Sequence, residues 1–582
     1  MKPANLVIIM SDEHDPRWMG CSGNALMHTP NLDRLAARGL RFTDAYTTCP
    51  ICVPARAAFA VGKYIHEIGY WDNADPYDGA IPSWHHRLRS RGHRVVSVGK
   101  LHFRSNDDDN GFSEEIVPMN VFERKGDLYG LLRGDDMPAR ADGSKLAGLA
   151  GPGESEYTWY DREIASRAQI WLREEARKHR DRPWVLFVSF VAPHFPLTAP
   201  PHCYYRYPFD RIPMPKLYRQ ENLHPYVRDQ AENTGYDKYF EDEAAVKRAR
   251  AGYFGLISSL DENIGHLLAT LDDMDLSSST RVLYTSDHGD NLGARGMWGK
   301  QVLYEEAAKV PMILAGPEIP AGVRREPVSH VDVYPTVMAC FGAPAPEASG
   351  RSLLERIPQR TVLSEYHASS SRAGEYMIRH GKWKYVYFVC YPDQPQLFDL
   401  ESDPEELRDL GTDKAFQTMR GECHAKLLSL LDPEEVDRRA VITHDLSTAQ
   451  HAVLVAIQPG EGVTAGVPFR ALDAAVTVRV QVFEAVFTID IDIAAEELLA
   501  GQRAVTAAID PDEVFAVVEP FGPGDPPIAI AVEIGETALG PIPEHRPLLI
   551  VVIPFFAEFA RRADPDFVPG QDAIAVPIVP LE

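Results

Sequence analysis

Near the N-terminus the chain runs through Asn5-Leu6-Val7-Ile8-Ile9-Met10 without polar alternation and then breaks at Ser11-Asp12. Such a run predicts a parallel strand buried on both faces, with a carboxylate delivered at the carboxyl edge of a sheet. Thr29 to Gly39 (TPNLDRLAARG) puts Leu32, Leu35 and Ala36 on one face, between a capping threonine and a terminating glycine, and predicts an amphipathic helix. Ile81 to Arg91 predicts a second helix, followed by the strand Arg94-Val95-Val96-Ser97-Val98, which delivers Gly99-Lys100. Tyr160 to Lys178 is helical by pattern, and Trp184 to Val191 is an apolar strand delivering His194. Ala244 to Leu271 predicts a long helix, and Thr280 to Ser286 a strand delivering Asp287-His288. Strand and helix alternate, and polar residues recur at strand ends. That is the pattern of an α/β sandwich with its site at one edge of the sheet. Past residue 360 the texture changes: Thr361-Val362-Leu363 and Trp383 to Phe388 read as strands, with Leu397-Phe398-Asp399-Leu400 and Pro404-Glu405-Glu406 after them.

At 582 residues the chain exceeds a single ordinary core, so two or more domains are expected. Beyond Ala440 the composition shifts: the last 142 residues carry 21 acidic residues against 6 Arg, with no Lys, Asn, Tyr, Trp, Cys or Met. Val476 to Ile493 alternates well enough for strands. This region reads as an extra β-rich domain or oligomerisation segment, or else as a frameshifted tail, and no chemistry is placed in it.

A hydrophobic content of 45% and a charged content of 25% belong to a soluble globular protein. The net charge of -25 argues against a nucleic-acid partner. It also gives no long-range attraction for an anionic substrate, so clustered Lys, Arg and His must provide that locally. Seven cysteines, odd and sparse, do not make a disulfide framework. Cys49 and Cys52 form a Cys-x-x-Cys pair, open to a redox or zinc reading, but no second pair accompanies it. Met1-Lys2-Pro3-Ala4 leads into an apolar run too short for a signal core or a membrane span, so a cytoplasmic protein with no membrane partner is expected.

Cys52-Val53-Pro54-Ala55-Arg56, continuing through Phe59-Ala60-Val61-Gly62, is the most informative stretch. Around it stand Asp12, Lys100 and His102 in Gly-Lys-x-His-Phe, His194 in Ala-Pro-His-Phe-Pro, Asp287-His288-Gly289-Asp290, and Lys300 after Met297-Trp298-Gly299. In this order, over roughly residues 4 to 435, the motifs resemble the type I sulfatases of the alkaline phosphatase superfamily, in their arylsulfatase and choline sulfatase-like branch. The resemblance implies an α/β sandwich with a large mixed, mostly parallel sheet flanked by helices. A small C-terminal antiparallel sheet and a closing helix would complete it. The expected domains are a catalytic domain over 1–355, an antiparallel subdomain over 356–440 and the extension over 441–582.

The resemblance also implies roles. Cys52 becomes formylglycine, made by a formylglycine-generating enzyme, and its hydrated aldehyde is the nucleophile. One hydroxyl of the diol attacks sulfur, and sulfate leaves by C–O cleavage as the aldehyde reforms. Arg56, one helical turn on, holds the hydrate. Lys100 binds a sulfate oxygen, and His102 takes the proton whose loss releases sulfate. His194 and Lys300 contact the leaving oxygen and sulfate, and either can act as general acid. Asp12, Asp287, His288 and the oxygen of residue 52 bind one divalent metal, whose mixed O/N donors suit Ca²⁺ or Mn²⁺. Many family members have Asp-Asn where this chain has Asp287-His288, and a second Asp where it has Glu13. Glu13 and Asn73, the latter from an Asp72-Asn73 pair of choline sulfatase-like character, are placed as substrate contacts; Asn73 reads equally as a turn residue. The expected activity is hydrolysis of small-molecule sulfate esters by a homo-oligomer, a dimer or tetramer. The alternative is a phosphonate monoester or phosphodiester hydrolase on the same scaffold, whose members generally lack the Lys-x-His pair.

Overall fold

Every residue from Leu6 to Asp12 is buried in strand β1 (Asn5–Asp12), which explains its unbroken apolar run. In the computed structural model the described residues are 2–128, 133, 142–179, 181–220, 222–356 and 359–441, together with six strand segments between 476 and 553. The chain forms two compact units, Met1–Arg438 and Arg439–Glu582. In the first unit, α1 (Pro30–Arg38) leads into β2 (Gly39–Phe42), and α2 (Cys52–Val61) and α3 (Trp84–Ser90) precede β3 (Val95–Lys100) and β4 (Glu114–Met119). Then come α4 (Glu156–Glu174), β5 (Val185–Pro193), α5 (Glu243–Asp273), β6 (Thr280–Ser286), β7 (Met312–Ala315), β8 (Gly322–Arg324) and α6 (Val333–Cys340). These eight strands form one sheet in the order β8-β2-β7-β6-β1-β5-β3-β4, in which β7 alone runs antiparallel.

Two cores form on opposite faces of this sheet, and β1 feeds both. Val7 and Ile9 join Val96, Val98, Leu186 and Val188 under α1, α4 and α5. Leu6, Ile8 and Met10 join Val95, Val185 and Phe187 under α2, α3 and α6. Period-two alternation thus sends successive apolar residues to different layers, and only a run with no polar positions satisfies both.

A meander of β9 (Thr361–Tyr366), β10 (Glu375–His380), β11 (Trp383–Phe388) and β12 (Gln396–Asp399) forms the small antiparallel sheet, followed by α7 (Gln417–Leu428). In the second unit, 476–481 pairs antiparallel with 488–493, and four further segments form a second antiparallel sheet. Residues 129–132 and 134–141, and most of 441–582, lie outside the described residues. No helix among the described residues is long and apolar enough to cross a membrane.

Local departures have identifiable causes. The helix expected over Ile81–Arg91 starts only at Trp84, after Pro82, where the Ser83 hydroxyl accepts from the His86 N–H. Thr29 does not cap α1 with its side chain; Asp261 of α5 accepts from the N–H groups of Asn31 and Leu32, at 3.1 and 2.8 Å. Gly39 ends α1 in extended backbone rather than a left-handed turn, because it is already the first residue of β2, paired with Ala315; a Cβ there would lie 2.7 Å from the Leu314 carbonyl of β7.

Adjacent parallel strands β6, β1, β5 and β3 place their carboxyl ends side by side. Gly99 sets the last of these, with φ +99 and a hypothetical Cβ 2.3 Å from the Ser189 carbonyl. Gly99→Ala is expected to destabilise the protein by about 2–4 kcal/mol, adding left-handed backbone strain to overpacking against β5. Urea unfolding measures this as a lower midpoint at constant slope, and an unchanged midpoint would show that β3 and β5 can part here without loss.

Candidate active site

Arg56 lies one turn into α2, wholly within the fold, and its guanidinium meets four strands at once. Nε donates to Asp287 Oδ2 at 2.8 Å and Nη2 to Asp12 Oδ2 at 3.1 Å, while Nη1 bonds the Lys100 carbonyl and Ser189 Oγ, both at 2.9 Å. All three nitrogens are therefore satisfied, and the carboxyl ends of β6, β1, β3 and β5 are tied to the start of α2. With each Oδ2 taken, Asp12 Oδ1 remains for Cys52, while Asp287 Oδ1 accepts from the Glu13 and His288 N–H groups at 3.2 and 2.9 Å. Asp12 Oδ1 is 3.7 Å from Sγ, and Asp287 Oδ1 is 3.7 Å from His288 Nε2, which is itself 3.2 Å from Sγ. His288 Nδ1 lies 3.0 Å from the Gly289 carbonyl. A carbonyl only accepts, so Nδ1 carries the proton and Nε2 turns its lone pair inward.

Cations close the site. Lys100 Nζ forms an ion pair with Asp12. Lys300 Nζ donates to Sγ at 3.0 Å and pairs with Glu13. Burial would raise the Asp12 carboxyl, but Lys100, Arg56 and Lys300 outweigh it and hold it well below the usual carboxylate range. Burial drives Glu13 up to about 7 against the pull of Lys300, with Asp290 adding repulsion. The ammonium of Lys300 is penalised by burial, yet Cys52, Glu13 and Asp12 hold it well above the usual lysine range. Burial, then Asp12, pushes the Cys52 thiol up to about 12 in spite of Lys300 and Lys100. As a cysteine the residue is a protonated thiol at neutral pH and a poor nucleophile.

One ligand atom from each of Asp12, Cys52, Asp287 and His288 lies within 4.8 Å of the others. Two carboxylates and an imidazole lone pair fit a hard or borderline divalent cation, and an oxygen at residue 52 would suit that set better than sulfur. Glu13 Oε2, buried and without a hydrogen-bond partner, sits at the same edge.

The remaining candidates occupy distinct positions. His102 follows Lys100 at φ 58 and is half-buried, with Nδ1 unpartnered; burial, then Lys100 and Arg56, pull it well below the usual histidine range. His194 donates from Nδ1 to the Phe195 carbonyl at 2.7 Å and turns Nε2 toward Glu13 at 3.9 Å. Burial and Lys300 keep it neutral. Asn73 Oδ1 accepts from the Val53 N–H at 3.0 Å, in the first turn of α2. Cys49, the other half of the Cys-x-x-Cys pair, is buried as a free thiol, and all seven cysteines are unpaired.

Sequence reading did not find the residues that hold these groups. Ser189 anchors Arg56. Tyr253 of α5 donates to the Glu13 carbonyl at 2.5 Å, and Asp161 of α4 accepts from the Val191 and Ala192 N–H groups just before His194. Asp290 accepts from Gly299 N–H at 3.0 Å, holding the loop beside Lys300. Only Asp290, inside the Asp-His-Gly-Asp motif, carried a local signal.

A sulfatase family profile matches residues 4–343, and a profile for the C-terminal part of N-sulphoglucosamine sulphohydrolase matches 293–432. The choline-sulfatase of Rhizobium meliloti (strain 1021) is 36% identical over 429 residues, covering 70% of this chain and 82% of that protein. Two solved structures superpose with a TM-score of 0.60 at 21% identity. One is a complex with its substrate D-glucosamine-2-N,6-O-disulfate (75% of this chain, 98% of its own). The other is the phosphonate monoester hydrolase of Agrobacterium radiobacter (73% and 95%). At that identity these likenesses speak to fold alone.

Asn73→Ala is expected to cost about 1 kcal/mol through loss of the acceptor at the start of α2, whereas Asn73→Asp keeps it. Chemical unfolding of the two variants tests this, and equal losses from both would remove the capping role.

Proposed function

The chain belongs to the sulfatase family and hydrolyses sulfate esters, and we propose that it does so at residue 52, with Cys52 converted to formylglycine and one Ca²⁺ or Mn²⁺ held by Asp12, Asp287 and His288. The observation that carries this reading is the thiol itself. It is surrounded by carboxylate, imidazole and ammonium groups suited to an ionised oxygen nucleophile, yet it stays protonated as a cysteine. The metal's chemistry there is to favour the ionised form of the hydrate and to stabilise charge on sulfate oxygens.

The chain's own residues divide the remaining work. Arg56 fixes both carboxylates and borders the hydrate, and the N-terminus of α2 adds positive potential for an oxyanion. Lys100 places a fixed cation against a sulfate oxygen, a charge-assisted contact of about 1.5–3 kcal/mol. Lys300, held charged beside residue 52, is the proton donor to the leaving oxygen, with His194 on the same side. His102, held neutral, is free to take the proton whose loss releases sulfate. The chemistry is assigned to 1–355, completed by 356–440, with none in 441–582. A cytoplasmic setting agrees with seven unpaired cysteines. Maturation by a formylglycine-generating enzyme and a dimeric or tetrameric state complete the proposal.

Peptide mass spectrometry of active protein is expected to find residue 52 lighter by the difference between thiol and aldehyde. Full activity in protein carrying only cysteine would sink this assignment. Cys52→Ala should abolish turnover with little effect on folding, and Asp12→Asn or Asp287→Asn should lose bound metal and rate together, read by elemental analysis alongside kinetics.

Choline sulfate and an aryl sulfate, each assayed beside a phosphonate monoester, test the substrate class. Sulfate esters are expected to dominate. His102→Ala should accumulate protein carrying one sulfo group, while Lys100→Ala should impair its formation. If both variants kept wild-type sulfatase turnover, or if the phosphonate were the better substrate, the hydrolase alternative would replace this reading.

A further inference from the structure

A cleft of about 1250 Å³ is lined by Trp18, Arg250, Asn291 and Leu292 among others, and by none of the residues assigned above to catalysis or metal. Arg250 of α5 is 4% exposed and makes one hydrogen bond, from Nη1 to the Leu292 carbonyl at 2.7 Å. Its Nε has no partner, and among the described residues it forms no ion pair. The acids nearby are occupied: Asp15 is closed around Arg17 at 2.6 Å, and Asp290 accepts from Leu292 N–H at 2.7 Å and Gly299 N–H at 3.0 Å.

The guanidinium lies over the rings of Trp18 and Phe254, at 5.1 and 5.6 Å. The Trp18 indole N–H is likewise buried and unpartnered. Two neighbouring side chains thus present buried donors with no acceptor, and one of them is a cation. Burial, with Arg17 beside it, lowers Arg250 to about 9, which still leaves it charged at neutral pH. A water molecule could accept from these donors but carries no charge, and Asp15 and Asp290 act on the guanidinium only from a distance, without an ion pair.

Elsewhere on the cleft wall most carboxylates are already matched, Glu401 having no ion pair among the described residues. Glu306 is held by Lys216 at 2.6 Å and Arg295 at 3.3 Å, Glu305 by Lys309 at 3.1 Å, and Glu405 by Lys216 at 3.0 Å. Arg41 and Arg325 line the same cleft and have no ion pair among the described residues. Cations without an ion pair thus outnumber acids without one on this wall, in a chain whose net charge is -25.

We propose that Arg250 and Trp18 form a second oxyanion site, separate from residue 52, for a small tetrahedral anion of the sulfate and phosphate class. A tetrahedral oxyanion offers several acceptors at once, so it can take the indole N–H and the guanidinium together. Arg250 also holds Leu292, and Asn291 Nδ2 bonds the carbonyls of Gly299 at 2.7 Å and Lys300 at 3.2 Å. The site therefore adjoins the loop that presents Lys300, and sulfate released by hydrolysis is its first candidate ligand.

Crystals of the full chain soaked in selenate test the site, with calorimetric titration of sulfate and of phosphate at constant ionic strength as the solution measurement. Anomalous density within hydrogen-bonding distance of Arg250 and Trp18 is expected, distinct from any peak at residue 52. Arg250→Gln should abolish it while the peak at residue 52 stays. Trp18→Phe, which keeps the ring but removes the N–H, should weaken binding by about tenfold without changing sulfate ester turnover. Comparing the sulfate and phosphate titrations identifies which anion the site prefers. Selenate at residue 52 but none at Arg250, or unchanged second-site affinity in Arg250→Gln, would overturn the proposal. Should Arg250→Gln not fold, unchanged affinity in Trp18→Phe would overturn it instead.

Discussion

One guanidinium carries the architecture of the site. Arg56 joins Asp12 at the end of β1 to Asp287 at the end of β6, and both carboxylates are wholly buried. Two carboxylates brought together without water repel each other and lose hydration, so a buried cation between them is a condition of the fold. Such a pair is weak evidence for stability, but losing one partner leaves an uncompensated charge. Arg56 does more than neutralise. Its planar fork reaches four acceptors, including Ser189 and the Lys100 carbonyl, so it fixes the relative positions of four strand ends as well as their charge.

The same logic extends outward. Lys100 and Lys300 face Asp12 and Glu13, so each acidic group that can face a metal or substrate has a cation beside it. This local arrangement is how a chain with a net charge of -25 can present positive potential to an anionic ester. A second buried cluster does comparable work where the small sheet meets the core. Lys384 of β11, wholly buried, pairs with Glu406 at 2.7 Å and donates to Glu305 at 3.0 Å, and Tyr46 donates to the other oxygen of Glu305. The antiparallel sheet is thereby held to the segment that follows Lys300.

What could be read from the sequence was whatever sat at a strand end. Asp12, Lys100, His194 and Asp287 each follow an apolar run, and parallel neighbours bring those ends together, so a linear pattern becomes a cluster. Features set by distant partners were not legible. The cap on α1 comes from Asp261, more than two hundred residues away, so Thr29 looked sufficient. Strand β10 was missed because Glu375 and Arg379, charged residues that ordinarily mark a surface, are buried in it. The pairing of Lys300 with Glu13, and the support Tyr253 gives Glu13, likewise depend on contacts that no local spacing encodes.

The fold alone does not choose the reaction. A phosphonate monoester hydrolase and an enzyme with a disulfated glucosamine substrate superpose on this chain equally well. Both reactions need a nucleophile near residue 52 and cations for a tetrahedral oxyanion, so the Arg56 bridge and the carboxylates would serve either. The discriminating groups have to be those whose demands differ between the two substrates. A sulfate monoester carries its charge on three equivalent oxygens, whereas a phosphonate monoester replaces one with carbon, and a fixed ammonium on each side favours the former. Lys100 and Lys300 stand on two sides of residue 52, each held charged by a buried carboxylate rather than by solvent. On the proposed roles of Lys100 and Lys300, preference for sulfate would reside in which carboxylates hold those two ammonium groups, a property of side-chain pairing that backbone superposition does not register.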